Sequence, residues 1–193
     1  MKIETATIAR LRDTLIQSGQ RQGAVISTAD EILTRQGLLS GDENAAVARV
    51  APMAETMFLV MAADGKISEG EMDAIRGAVR DLTDGLLQEG TIKVLLENFQ
   101  RSLDAEGRAS RLAAVASSIK HSTEDAEGAF ALAAAVAMAD HEVAYAENQL
   151  LIELSQLLGI GSQRAHVILD QLDEERSSEP PPDTERNPSR SGD

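Results

Sequence analysis

Val60-Met61-Ala62-Ala63-Asp64-Gly65-Lys66-Ile67-Ser68-Glu69-Gly70-Glu71 and Val136-Ala137-Met138-Ala139-Asp140-His141-Glu142-Val143-Ala144-Tyr145-Ala146-Glu147 align without a gap. Each segment has an apolar stretch, an Asp, an aliphatic residue three places later and a Glu seven places later. Gly, and less often His, accepts the positive φ that commonly ends a helix. Each segment therefore predicts the same corner, in which an apolar helix ends at the Asp and a second helix begins about four residues later.

Helical periodicity extends from Ile3 to about Arg176, and alternating strand patterns are missing. This predicts an all-α bundle of about seven to nine helices with an internal pseudo-two-fold repeat. Pro52 lies within the third predicted helix and predicts a kink or break near Ala51. The predicted helices are Glu4–Gln17, Ala24–Gln36, Asp42–Ala63 with Asp42 as cap, Ser68–Asp84, Thr91–Leu103, Arg108–Lys120, Ser122–Ala139 with Ser122 or Thr123 as start, Ala144–Leu158 and Ser162–Arg176.

The composition changes at both ends of this helical region. Residues 177–193 hold four of the five prolines and almost no apolar side chain, so we expect a disordered Pro/Ser/acidic tail. Residues 1–40 are expected to form an N-terminal helical extension, either within the bundle or as a separate arm. The central domain then spans residues 41–176, and the alanine-rich run 129–139 is expected to be its buried core helix.

The overall composition excludes several classes of function. Eighteen basic and 32 acidic residues give a net charge of −14, so a nucleic-acid partner is not expected. The absence of cysteine excludes disulfides, thiolate metal sites and cysteine nucleophiles. No secretory signal is recognisable and no apolar run approaches the roughly 20 residues of a membrane span, so we expect a cytoplasmic protein.

The acidic residues of the two corners are the candidate functional residues. Asp64 and Asp140 lie where helices are predicted to end, and the helix dipole disfavours a carboxylate there by about 0.3 to 1 kcal/mol. Glu71 and Glu147 fall in the first turn of the next helix. Because four carboxylates offer oxygen ligands, the two corners are predicted to converge on a divalent cation, Ca²⁺ or Mg²⁺.

The first corner alone cannot hold calcium. From Asp64 to Glu71 it is similar to the second half of an EF-hand loop, but the first and third ligand positions would be Val60 and Ala62. A metal-free alternative stays open, because Ser68 and Glu71 have the spacing of a capping box and the Asp residues could form Asx turns. In that case the acidic surface would serve to recruit protein partners.

No catalytic motif is recognisable in the sequence. It lacks a glycine-rich phosphate loop, a nucleophile elbow and a kinase signature, so the chain is not expected to be an enzyme. A reaction that uses the paired carboxylates is a third hypothesis, which needs a substrate-sized pocket between the two corners.

The duplicated corner, with its Asp and Glu in each copy, resembles the tellurite-resistance TerB family over about residues 44–175. Many members have Gly where this chain has His141. The resemblance implies a helical bundle with a metal site at Asp64, Glu71, Asp140 and Glu147. It also implies a role in resistance to tellurite and related stress, through protein complexes either in the cytoplasm or at the inner face of the membrane.

Overall fold

The computed structural model describes residues 41–65, 67–138 and 145–178. These residues form seven α-helices and one 3-10 turn, Ala62–Asp64, and this part of the chain contains no strand. The helices are α1 Gly41–Met61, α2 Glu69–Leu82, α3 Glu89–Glu106, α4 Arg108–Ile119, α5 Thr123–Ala137, α6 Tyr145–Leu157 and α7 Ser162–Ser178. The predicted all-α fold is confirmed. The expected helices Glu4–Gln17 and Ala24–Gln36 and the tail from residue 179 lie outside the described residues.

The centre of the bundle is the pair formed by α1 and α5, which pack along one another. Every residue of α5 from Gly128 to Ala137 is buried, as is every residue of α1 from Met53 to Met61. The small side chains of α5 let the two helices approach closely, and the larger side chains of α1 fill the remaining space. The remaining helices pack around this pair, α2, α3 and α4 against α1 and α6 and α7 against α5.

The helix boundaries differ from the predicted ones in informative ways. Pro52 does not break α1, which is continuous from Gly41 to Met61, because burial of its apolar face outweighs the loss of one backbone donor. Asp42 lies in the first turn of α1 rather than before it, and Gly90 lies inside α3 rather than between helices. Helix α7 continues to Ser178, two residues beyond the predicted end.

Helix α1 together with the 3-10 turn also bears on the question of a membrane span. Gly41–Asp64 is long and apolar enough to cross a bilayer by length and composition alone, which the sequence analysis did not anticipate. In the bundle 72% of its most apolar window is buried. The core helix of a bundle has the same composition as a span, so the burial in this fold accounts for the apolar character of α1.

An ion pair joins α5 to α7 and gives stability a pH dependence. Arg164 binds the Glu127 carboxylate with both nitrogens of its fork, at 2.9 and 2.6 Å. The hydrogen bond from Arg164 lowers the pKa of Glu127. The stabilisation is therefore complete above the unfolded pKa of about 4.3 and is lost as pH falls through the lower folded pKa. We expect Glu127→Gln to lower Tm at neutral pH but not at a pH below the folded pKa, measured by thermal unfolding at both.

Candidate metal centre at the acidic corners

The first corner has the backbone that its sequence predicts. Helix α1 tightens into the 3-10 turn, and Gly65 then takes φ 89°, with its N–H donating to the Ala62 carbonyl over 3.1 Å. Ile67 packs against the core, whereas Asp64 is exposed. Val60 has no side-chain oxygen and is fully buried, so it does not serve as the first ligand of a calcium loop. The corner is thus anchored by its apolar residues and directs Asp64 to the surface.

Glu71 takes part in the capping box. The Glu71 Oε2 accepts a hydrogen bond from the Ser68 N–H at 2.6 Å, and the Ser68 hydroxyl accepts one from the Glu71 N–H at 3.2 Å. Two N–H groups at the start of α2 are satisfied in this way. One oxygen of Glu71 is therefore occupied by the helix, as the metal-free alternative requires, and Oε1 makes no hydrogen bond to the described residues.

Ser68→Ala should destabilise the protein by about 1 kcal/mol, because it leaves the Glu71 N–H without its acceptor. Urea denaturation followed by circular dichroism measures the change. Ser117→Ala on the exposed side of α4 is a matched control and should change little. Equal stability of the two variants would contradict a structural role for the capping box.

The second corner is described only in part, because residues 139–144, with Asp140 among them, lie outside the described residues. Glu147 lies in the first turn of α6 and is 5% exposed. Burial of a carboxylate is costly unless a partner compensates it. Helix α6 packs against the 3-10 turn that ends at Asp64. The element that carries Glu147 therefore adjoins the element that carries Asp64.

Arg108 also reaches the first corner. This first residue of α4 donates a hydrogen bond to the Ala63 carbonyl at 2.5 Å. A positive charge is disfavoured at a helix N-terminus, but favoured where the 3-10 turn leaves its carbonyls unpaired. Arg108 therefore places a positive charge at the end of the 3-10 turn, a contact that sequence reasoning missed because 45 residues separate Arg108 from Ala63.

The donor chemistry of the corners suits a hard cation. Asp64, Glu71 and Glu147 all offer carboxylate oxygens, which are the ligands that Ca²⁺ and Mg²⁺ prefer. Among the residues that the structure describes, no three acidic or histidine side chains are close enough to hold a metal ion. Asp64, Glu71 and Glu147 are therefore not brought together as a set of three ligands, and a site that uses them would need both Asp140 and a rearrangement of these side chains.

A second charged cluster joins α1 to α4 and to the end of α3. Glu55, 6% exposed in the middle of α1, accepts from Arg111 of α4 at 2.8 and 2.9 Å, one bond to each carboxylate oxygen. Arg111 also binds Glu106 at 3.2 Å. Sequence reasoning missed this cluster, although a lone charge between Pro52 and Ala63, an otherwise apolar stretch, is a recognisable signal for a buried ion pair.

Burial decides the direction of the pKa shift of Glu55, whereas its acidic partners decide that of Arg111. Desolvation raises the pKa of Glu55, and the hydrogen bond and charge of Arg111 oppose that rise. For Arg111, burial acts to lower the pKa, but the hydrogen bonds and charges of Glu55 and Glu106 together outweigh it and raise the pKa. The bidentate geometry is that of an ionised pair, in which each partner makes burial of the other tolerable.

A family model described as tellurite resistance protein TerB matches residues 49–169. The chain belongs to the TerB family. The matched range contains both corners, the five complete helices α2 to α6, most of α1 and the first half of α7. No curated protein and no solved structure is similar enough to the chain to count as a match. The resemblance that the sequence analysis inferred is thereby confirmed, and the chain is a helical module associated with tellurite resistance.

Proposed function

We propose that this TerB-family protein is a non-enzymatic, cation-responsive interaction module of a tellurite or chemical stress response. Asp64, Glu71, Asp140 and Glu147 are the proposed ligands, and Ca²⁺ or Mg²⁺ the proposed ion. Through the bound ion the module would act on protein partners in the cytoplasm or at the inner face of the membrane.

The observation that supports this proposal is the packing of α6 against the end of the first corner. The 3-10 turn ending at Asp64 packs against α6, whose first turn buries Glu147. Capping is satisfied within each turn, so it does not by itself explain why a buried carboxylate lies on the helix that packs against the turn of Asp64. A cation between them would compensate carboxylates that are costly to hold near one another.

Each proposed ligand would contribute differently to the bound ion. Glu147 and Asp64 would supply oxygens from two different elements, so that an ion bound by both would join α6 to the end of α1. The second oxygen of Glu71 would add to them, while its first maintains the cap of α2. The bound ion would supply only charge and coordination, because nothing in the proposal requires a bond to be made or broken.

The alternative is a metal-free module whose acidic surface recruits a basic partner. The capping box of Ser68 and Glu71 favours this alternative for one of the four carboxylates. Binding of a partner would then weaken with salt and be unaffected by a chelator. The cation-dependent module predicts the reverse response to the chelator.

Isothermal titration of the full chain with Ca²⁺, Mg²⁺ and Mn²⁺ in turn tests the proposal. Saturable heat is expected for the native chain and not for a variant with Asp64→Asn, Glu71→Gln, Asp140→Asn and Glu147→Gln. Tyr145 offers a second readout, because it is the single tyrosine of a chain without tryptophan and lies two residues before Glu147. Its fluorescence should change with the same midpoint as the heat.

A matched control separates a site from general charge. Glu97→Gln, Asp104→Asn, Glu153→Gln and Asp170→Asn remove the same charge from exposed positions elsewhere. This control should bind the cation as the native chain does. Equal heats for the native chain and the corner variant would refute the metal site and leave the metal-free alternative.

A further inference from the structure

One side of the bundle carries almost no charge. Helices α4 and α6 pack against each other, and the exposed positions of α4 between Ala109 and Ser118 are all Ala or Ser. On α6 the exposed side chains are uncharged except Glu153. They are Tyr145, Asn148, Gln149, Ile152, Gln156 and Leu157. We call these exposed positions of α4 and α6 the uncharged face.

The uncharged face differs from the other surface of the protein. A quarter of the chain is charged, and α3 alone exposes Glu89, Lys93, Glu97, Arg101 and Asp104. Tyr145 is 80% exposed and Ile152 47%, although water disfavours apolar side chains of this size. Depletion of charge and an exposed Tyr are two features of the centre of a protein interface.

We propose that the uncharged face is the docking site of this chain's own N-terminal segment, the predicted helix Glu4–Gln17. In that sequence Ile8, Leu11 and Leu15 recur at spacings of three and four, which places them on one side of a helix. The small residues of α4 beside the larger ones of α6 would receive such a row of apolar side chains, as grooves in other proteins receive an amphipathic helix.

The charges are compatible with the same occupant. The predicted helix Glu4–Gln17 carries two basic and two acidic side chains, although the chain as a whole has a net charge of −14. The border of the uncharged face carries both signs as well: Glu153 and Glu106 are exposed, and so are Arg108 and Lys120 at the two ends of α4. A segment without net charge therefore meets no net repulsion on this side of the bundle.

The connection is long enough for docking within one molecule. Residues 18–40 separate the predicted helix from Gly41 and would span up to about 75 Å if extended, more than the bundle requires. A tether of this kind keeps the local concentration of the segment near the millimolar range. A second copy has no such advantage, and two chains of net charge −14 repel each other.

Cysteine cross-linking of the full chain tests the proposal directly, since the chain has no cysteine of its own. The test variant carries Leu11→Cys with Ile152→Cys, and the control carries Leu11→Cys with Glu97→Cys on the exposed side of α3. A short bismaleimide should link the test pair within one molecule at least about ten times faster than the control pair, because docking adds to the tether. Circular dichroism verifies that both variants are folded.

Tyrosine fluorescence provides a test without cross-linking. In the full chain a docked helix should protect Tyr145 from iodide, and Ile152→Arg should remove that protection whereas Glu97→Arg should not. Equal cross-linking rates for the two pairs would overturn the proposal. So would an iodide quenching constant for Tyr145 as large as that of a free tyrosine peptide. Products linked between two molecules would overturn it in favour of a second copy. Both readouts are taken with EDTA present, because a bound cation would itself change the fluorescence of Tyr145, so failure here would not decide the function proposed above.

Discussion

Replacing Arg111 by methionine is expected to destabilise the protein by about 3–5 kcal/mol, because it leaves the Glu55 carboxylate buried without its partner. The free energy of unfolding of most domains is only about 5–15 kcal/mol, so this loss would be a large share of the stability. Replacing both partners, with Glu55→Leu and Arg111→Met, should restore most of the loss, since the double variant buries no charge. Urea denaturation of the single and double variants measures both effects.

The pH dependence of Arg111→Met separates loss of the ion pair from loss of packing. Burial raises the pKa of Glu55, and without Arg111 little opposes that rise. Folding is not penalised by a buried carboxyl while that carboxyl is neutral, which holds below its unfolded pKa. Because folding raises the pKa, the free energy of unfolding falls as pH rises through the folded pKa. The variant should therefore be less destabilised near about pH 4.5, where the Glu55 carboxyl can be neutral, than near about pH 8, where it must be charged.

The control for this prediction is the exposed pair of Arg76 and Asp73, 2.7 Å apart on α2. Arg76→Met should cost no more than about 0.5 kcal/mol, because water screens a surface pair. A loss at Arg111 as small as that at Arg76, or one that is independent of pH, would show that the buried pair does not have the role inferred from its geometry.

Truncation of Phe58 to alanine should have an effect of similar size, about 3–5 kcal/mol. Phe58 is 1% exposed in the most buried part of α1, and its ring lies 5.9 Å from that of Phe99 at an angle of 52°. With so few aromatic residues in the chain, few large neighbours are available to fill the cavity. Thermal unfolding and urea denaturation measure the loss.

Phe58→Leu keeps this prediction testable if the alanine variant does not fold. Leucine retains most of the apolar volume, so the variant should be clearly less destabilised than Phe58→Ala. Leu86→Ala, at a position that is 41% exposed, is the surface control and should cost little. Equal losses for Phe58→Leu and Leu86→Ala would indicate that the core tolerates a missing ring.

The sequence predicted those features that depend on local patterns. Spacing of apolar residues located the helices, Gly65 located the end of the first one, and Ser68 with Glu71 predicted the capping box. Pro52 was treated as a local signal as well, and there the tertiary burial of α1 decided the outcome instead. Local rules therefore succeeded at the first corner, whereas Asp42 and Gly90 show that they misplaced two helix starts by a few residues.

The features that the sequence missed depend on residues far apart in the chain. Arg111 meets Glu55 across 56 positions and Arg108 meets Ala63 across 45, and no short motif encodes either distance. The repeated sequence did predict that the two corners converge, but no motif indicated that α6 would pack on the 3-10 turn. The participation of Asp140 stays a prediction, because that residue lies outside the described range.

The hydrogen bond from Arg108 to Ala63 also bears on how the first corner moves. A surface turn normally opens by itself, as a small local fluctuation. Here the carbonyl at the end of the turn is held by the first residue of α4, so opening the turn means detaching α4 or giving up that bond. The corner and the start of α4 should therefore fluctuate as one unit, and anything that rigidifies the corner should also slow hydrogen exchange at the start of α4.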